Sequence, residues 1–260
     1  MRPRIVFLPG LLCDATTFAG QTAALAPHAE VAVADVTGCT SIGAMAEAAL
    51  AVFDGPVSLV GFSMGGRAAL EAVRRAPERV ERLVLMDTGA TPAREGEEVG
   101  RMELVDLAHR EGMAALAARW LPPMVHAERE ADPSLIGPIT EVVERMTPEI
   151  FERQIRALLG RPDARPVLPT VRCPTLVVVG RQDRWSPLAQ NQALAETIPG
   201  ARLAVIEDSG HFSPVERPEA VAAALVDFFG FAAPSAPPRP RTQEPPAAAE
   251  DEEVTRPCIG

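Results

Sequence analysis

Gly61-Phe62-Ser63-Met64-Gly65-Gly66 places a serine between two glycines where one sequence pattern gives way to another. Before it, Pro56-Val57-Ser58-Leu59-Val60 is a short apolar run that reads as a buried strand. After it, residues Arg67 to Arg75 are rich in helix formers and apolar on one face. The spacing G-x-S-x-G on a strand-to-helix turn is that of a nucleophile elbow. Such a serine takes a backbone conformation that side chains avoid, and a Cβ at Gly61 or Gly65 is expected to collide with the opposite arm of the turn. The helix beginning there aims unpaired N–H groups at the serine, so a developing oxyanion meets donors that need no rearrangement. An ordinary Gly-rich turn with a surface serine has the same spelling; the strand and helix on either side argue against it.

Outward from this turn the chain alternates. Ile5 to Leu8 reads as a strand running into the turn Pro9-Gly10-Leu11-Leu12-Cys13-Asp14. Thr16 or Thr17 can cap a helix through Ala26, Glu30 to Ala34 is a second strand, and Ser41 caps a helix to about Phe53. Val80 to Met86 is the strand after the elbow helix, ending at Asp87. Alternation of this kind implies a mostly parallel sheet covered on both faces. From 91 to 170 it stops: Glu97 to Glu111, Met113 to Leu121 and a segment capped by Thr147 with Pro148 all read as helices. The sheet resumes at Pro174 to Gly180, then come a helix to about Ile198, a strand Arg202 to Ile206 and a helix Pro218 to Phe229. The expected organisation is an α/β core (1–90 and 171–231) with a helical cap (91–170) between two strands. A cap there lies over the ligand crevice and reads as a lid, or as a purely structural excursion. Residues 232–260 turn to Pro, Ala and acidic residues and read as a disordered tail.

At 260 residues, with 47% hydrophobic and 23% charged residues, the chain can bury a sizeable core. Its net charge is -10, and all 25 basic residues are Arg, a bias that fits a GC-rich genome. No basic stripe invites nucleic acid, and no apolar run approaches a membrane span. Cys13, Cys39, Cys173 and Cys258 have no metal-ligand spacing and read as reduced thiols of a cytoplasmic protein. No metal or cofactor is expected.

Ser63 needs a base, and the base needs an acceptor to hold its tautomer. His211 and Asp183 each lie just past a strand's C-terminal end, as Ser63 does, and parallel strands bring such ends to one edge of the sheet. His28, His109 and His126 lie at a helix end or in the 91–170 segment. Asp87 also ends a strand and is an alternative acid. Asp208 reads as a turn residue and Ser213 as a helix entry.

Three blocks then carry a resemblance: GFSMGG at 61–66, VVVGRQDRWSP at 177–187 and DSGHFSPVERPEAV at 208–221. Over residues 4 to 230 the chain resembles the α/β-hydrolase family, most of all its capped bacterial esterase branch, which includes oxoadipate enol-lactonases. The resemblance implies Ser63 as nucleophile, Asp183 as triad acid and His211 as general base, in the family's chain order. It implies an oxyanion hole from the backbone N–H groups of Met64 and Leu11, although the family often has His-Gly where this chain has Pro9-Gly10. The family's usual first two antiparallel strands find no counterpart before Ile5.

Phe62, Met64, Trp185 and Phe212 flank these residues and imply an apolar pocket. Arg67, four residues past Ser63, either binds a substrate carboxylate, a similar Arg appearing in the cofactor-free lyases of menaquinone synthesis, or makes a salt bridge on its helix. The leading expectation is a serine hydrolase acting on a small-molecule ester or lactone. The alternatives are a lyase or C–C bond hydrolase with the same triad, and a non-catalytic ligand-binding member of the fold.

Overall fold

The computed structural model describes residues 2–231; the expected disordered tail and Cys258 lie outside the described residues. Six strands form one sheet: β1 (Arg4–Leu8), β2 (Glu30–Val33), β3 (Val57–Phe62), β4 (Val80–Met86), β5 (Thr175–Gly180) and β6 (Arg202–Ile206). Their order is β2-β1-β3-β4-β5-β6, and every neighbouring pair is parallel. All six positions of both β3 and β5 are buried, which is why these strands read as continuous apolar runs instead of alternating ones.

Ten helices accompany the strands among the described residues: α1 (Ala19–Leu25), α2 (Ile42–Leu50), α3 (Met64–Arg75), α4 (Glu97–Glu111), α5 (Met113–Trp120), α6 (Pro133–Glu144), α7 (Pro148–Leu159), α8 (Leu188–Thr197), α9 (Ser213–Glu216) and α10 (Pro218–Phe229). Helix α1 packs on α10 and α2 on α3, while α8 lies against β5 and β6. Between β4 and β5 lie only helices and loops, in which α4 packs on α5 and α7, and α5 on α6.

Several local details differ from expectation. Asp14, not Thr16 or Thr17, caps the first helical turn: its side chain accepts from Thr16 N, and the turn is a 3₁₀ segment that hands over to α1 at Ala19. Helix α2 stops at Leu50, short of Phe53. Helix α6 went unread because Gly137-Pro138 argues against a helix. Asp132 caps it, Pro133 takes its first position, and buried Leu135, Ile139, Val142 and Val143 carry it through Pro138.

The register aligns the C-terminal ends that matter. Leu8 pairs with Gly61, Gly61 with Leu85, Met86 with Val178 and Gly180 with Ile206. The loops after β1, β3, β4, β5 and β6 therefore leave from one edge. Strand order reverses between β1 and β3, the position at which open parallel sheets form a crevice. Leu11 and Ser63 stand on its two sides.

Candidate active site

Four non-glycine residues among those described have positive φ: Leu12 (55°), Ser63 (51°), Asp87 (47°) and Asp208 (50°). All four follow the C-terminal ends of strands, β1, β3, β4 and β6, so backbone strain of roughly 1–3 kcal/mol each is gathered at one edge. At Ser63 it is held by Ser63 N donating to Met86 O at 2.8 Å, and by Thr88 Oγ1 donating to Ser63 O at 2.6 Å. The glycines make the turn possible. A Cβ on Gly61 would stand 2.5 Å from Gly65 O, the opposite arm of the turn, as expected. A Cβ on Gly65 would instead strike the backbone of Leu8 and Pro9, and one on Gly66 the Thr88 side chain. The elbow is thus packed from two neighbouring strand ends as well as from its own arms.

His211 lies in the loop after β6. Its Nε2 is 2.8 Å from Ser63 Oγ and its Nδ1 is 2.8 Å from Asp183 Oδ2. Asp183 Oδ1 accepts from Trp185 N at 2.7 Å and Ser186 N at 2.9 Å, so the carboxylate is oriented on both oxygens. An ionised carboxylate only accepts; His211 Nδ1 therefore carries the proton, and Nε2 is free to accept from the Ser63 hydroxyl. Burial opposes charge on both groups. The Asp183 carboxylate nevertheless holds the His211 pKa above the ordinary histidine value, with Asp87 and Glu216 adding to it. On Asp183 burial is outweighed by His211 and the two N–H donors, which hold its pKa below the ordinary value.

Asp87 stands beside this array but not in it. Its Oδ1 accepts from Gly180 N at 2.8 Å, and its Oδ2 accepts from the Ser213 hydroxyl. Burial, then the Asp183 charge, push its pKa well above the ordinary value against His211, Ser213 and Gly180. Of the two carboxyls, it is Asp183 whose surroundings favour the charged form. The other histidines are engaged elsewhere: His28 stacks on Phe231 with centroids 5.0 Å apart, His109 meets Glu152 at 2.9 Å, and His126 Nδ1 accepts from Glu128 N at 3.2 Å.

Ser63 and His211 open into a cavity of about 90 Å³. Phe62, Met64, Trp185 and Phe212 line it as expected, and Leu11 lies in its wall. Met64 is the first residue of α3, so its N–H has no intrahelical acceptor. The wall also includes Trp120, Met124, Leu158 and Arg101, none of them anticipated. They come from the segment between β4 and β5. On α5 the buried stripe is Met113, Leu116, Ala117 and Trp120, and a stripe in sequence does not say which neighbour it meets.

Arg67 lines the same cavity. It makes no ion pair among the described residues, which removes the reading of a helix salt bridge; Nη1 donates to Thr91 O at 2.8 Å. Burial, then the nearby Arg161 cation, pull its pKa down to about 9, which still leaves it protonated at neutral pH. Arg161 is instead neutralised by Glu97, at 2.6 and 2.8 Å, and Glu97 also accepts from Arg101 at 2.7 Å. Beyond these arginines an outer chamber of about 480 Å³ shares Arg67, Arg101, Trp120 and Trp185 with the inner one.

The chain is similar to several known proteins. The chain is 31% identical over 193 residues to the pimeloyl-[acyl-carrier protein] methyl ester esterase of Neisseria meningitidis serogroup C, covering 72% of this chain and 75% of that protein. It is 27% identical over 194 residues to the 2-hydroxy-6-oxononadienedioate/2-hydroxy-6-oxononatrienedioate hydrolase of Klebsiella pneumoniae, covering 68% of this chain and 63% of that protein, which is less than two thirds of that relative's length. The crystal structure of the enol-lactonase from Burkholderia xenovorans LB400 superposes with a TM-score of 0.79 at 30% identity, over 88% of this chain and 92% of that one. The Alpha/beta hydrolase family matches residues 5–224, and on that extent of agreement the chain belongs to the Alpha/beta hydrolase family.

Proposed function

We propose that the protein is a serine hydrolase that cleaves a small-molecule carboxylic ester or lactone through an acyl-enzyme. The observation that carries this reading is the unbroken hydrogen-bonded line from Ser63 through His211 to Asp183, two contacts of 2.8 Å each, rooted in an elbow that holds Ser63 at positive φ. In this mechanism Ser63 Oγ attacks the carbonyl carbon as its proton passes to His211 Nε2. The oxyanion is met by the N–H groups of Met64 and Leu11, and collapse expels the alcohol, which takes the proton from His211. Water then repeats the sequence on the acyl-enzyme and releases the acid. Asp183 stays ionised throughout and stabilises the imidazolium. The names of the relatives, an esterase and an enol-lactonase, support the same class.

Residues 91–170 act in this reading as a cap on a core of 1–90 and 171–231. The contribution of Trp120, Met124 and Leu158 to the Ser63 cavity supports it. The test is labelling with a fluorophosphonate probe: wild type labels and Ser63→Ala does not. Folded wild-type protein that never labels defeats the proposal. A panel of p-nitrophenyl esters and lactones graded in acyl length and charge then finds the substrate.

One observation favours a second reading, a lyase or C–C bond hydrolase of an anionic substrate. A guanidinium in the wall of the nucleophile's cavity without a carboxylate partner is costly unless a ligand supplies the anion. On this reading Arg67→Ala spares uncharged esters and abolishes turnover of carboxylate-bearing ones. Equal losses on both kinds of substrate count against it.

A further inference from the structure

The loop after β1 is a β-turn from Gly10 to Cys13, closed by Cys13 N donating to Gly10 O at 3.2 Å. Its third residue is Leu12, whose φ of 55° lies in the left-handed region, while Leu11 is not among the positive-φ residues. A positive φ at the third position alone marks a type II turn, where Gly or Asn is the usual occupant and a branched side chain is strained. Rotating the central peptide, between Leu11 and Leu12, would convert the turn to type I and release that strain. Something must therefore hold the peptide where it is. On one side of it, Leu11 O accepts from the Cys13 thiol at 3.5 Å.

The central peptide's own N–H, Leu12 N, donates to Gln154 Oε1 at 2.9 Å, with both groups buried. Gln154 is fully buried on α7, 142 residues away in sequence. Its Nε2 is buried as well and finds no partner. The amide's orientation is not ambiguous, because only its oxygen can accept from an N–H. A buried amide that leaves one donor unsatisfied is a poor packing residue, and an apolar side chain of that length would serve the core better. What distinguishes glutamine here is the single acceptor it offers to Leu12.

We infer that Gln154 is a positioning residue: by accepting from Leu12 N it ties the Gly10–Cys13 turn, in its strained form, to α7, and through that tie fixes the place of the preceding Gly10–Leu11 peptide, whose N–H is the oxyanion donor in the wall of the Ser63 cavity. The inference rests on the serine-hydrolase reading. It ties α7, from the segment between β4 and β5, to the electrostatics of the reacting carbonyl, although Gln154 itself touches no substrate.

The experiment compares fluorophosphonate labelling rates, ester kinetics and melting temperatures of wild type, Gln154→Met and Gln154→Glu, each also in a Leu12→Gly background. Loss of one buried hydrogen bond that restrains a strained peptide should slow labelling and kcat of Q154M by roughly 10- to 30-fold, with KM little changed. Q154E keeps an acceptor and recovers part of the loss. Glycine accepts positive φ without strain, so Leu12→Gly should cut the Q154M penalty to about threefold or less, a rescue that a general packing defect does not give. Three results would overturn the inference: Q154M labelling as fast as wild type, a penalty undiminished in the Leu12→Gly background, or losses that follow melting temperature alike in Q154M and Q154E. Wild type that never labels is a different failure, since it removes the serine-hydrolase reading itself.

Discussion

In the proposed mechanism His211 takes the Ser63 proton only while its imidazole is neutral, and its surroundings set the pH at which that holds. Burial alone would lower its pKa, but the Asp183 charge and hydrogen bond raise it past the ordinary value of 6.5. The acid limb of kcat/KM should therefore inflect above pH 6.5, activity being lost as the pH falls through the raised pKa. Asp183→Asn removes the counter-charge, moves the inflection down and lowers kcat by roughly 10³- to 10⁴-fold. Asp87→Asn, whose acceptor contacts to Gly180 N and Ser213 an amide oxygen can partly replace, should stay within about tenfold of wild type. PH–rate profiles of the three proteins check this; an Asp87→Asn loss equal to that of Asp183→Asn exchanges the two carboxyls. At this scale the sequence spoke through residues whose need is local. Gly61 declares itself because its constraint lies in its own turn. Gly66 and Gln154 do not, because Thr88 and Leu12, which give them meaning, arrive from other strand ends.

Helix α4 is anchored by its first residue. Glu97 holds Arg161 and Arg101 and accepts from Arg94 N at 2.9 Å, and these partners outweigh burial to bring its pKa down to about 2. A depressed pKa of this kind contributes stability that is complete above the ordinary value of 4.5 and fades as pH falls toward 2. Glu97→Gln should cost roughly 1–3 kcal/mol at pH 7, after allowance for its partial exposure, and leave the Arg161 and Arg101 guanidinium groups without their shared carboxylate. Thermal melts should show the gap between wild type and variant narrowing as the pH drops below 4.5; a gap that stays constant contradicts this. Every strand was legible to within two residues at either end, since apolar runs between turns have few other readings. The helices between β4 and β5 were legible in part. Helix α4 was read to the residue and α6 was missed, because its apolar stripe had to outweigh Gly137-Pro138, a contest decided by packing.

Across the molecule, the parallel register brings five strand ends to one edge, and the segment between β4 and β5 is fastened there at several points. Glu216, whose side chain is fully buried, accepts from His126 N, Arg129 Nη2 and Gly210 N at 2.8–3.0 Å. His211 N donates to Met124 O at 2.8 Å, and Ala164 N to Ala90 O at 2.9 Å. Glu216 and the His211 N to Met124 O bond thus join the histidine loop to the helical segment, and the chamber lined by Arg67, Arg101 and Trp185 lies next to the one that Ser63 lines. The edge itself followed from the alternating pattern, whereas these fastenings did not, because they run to backbone atoms or between side chains far apart in sequence, which no residue pattern marks. The two tryptophans have a practical consequence. The chain contains Trp120, Trp185 and no tyrosine, and both indoles border the inner and outer chambers, Trp120 at 4% exposure and Trp185 at 44%. Ultraviolet emission of the folded protein therefore comes from the site alone, as a blue component from Trp120 and a redder one from Trp185. A ligand entering the chambers should quench or blue-shift the Trp185 component, and Trp185→Phe should remove it. An emission spectrum indifferent to a bound inhibitor would mean that the inhibitor sits elsewhere, so the protein carries its own label-free reporter of occupancy.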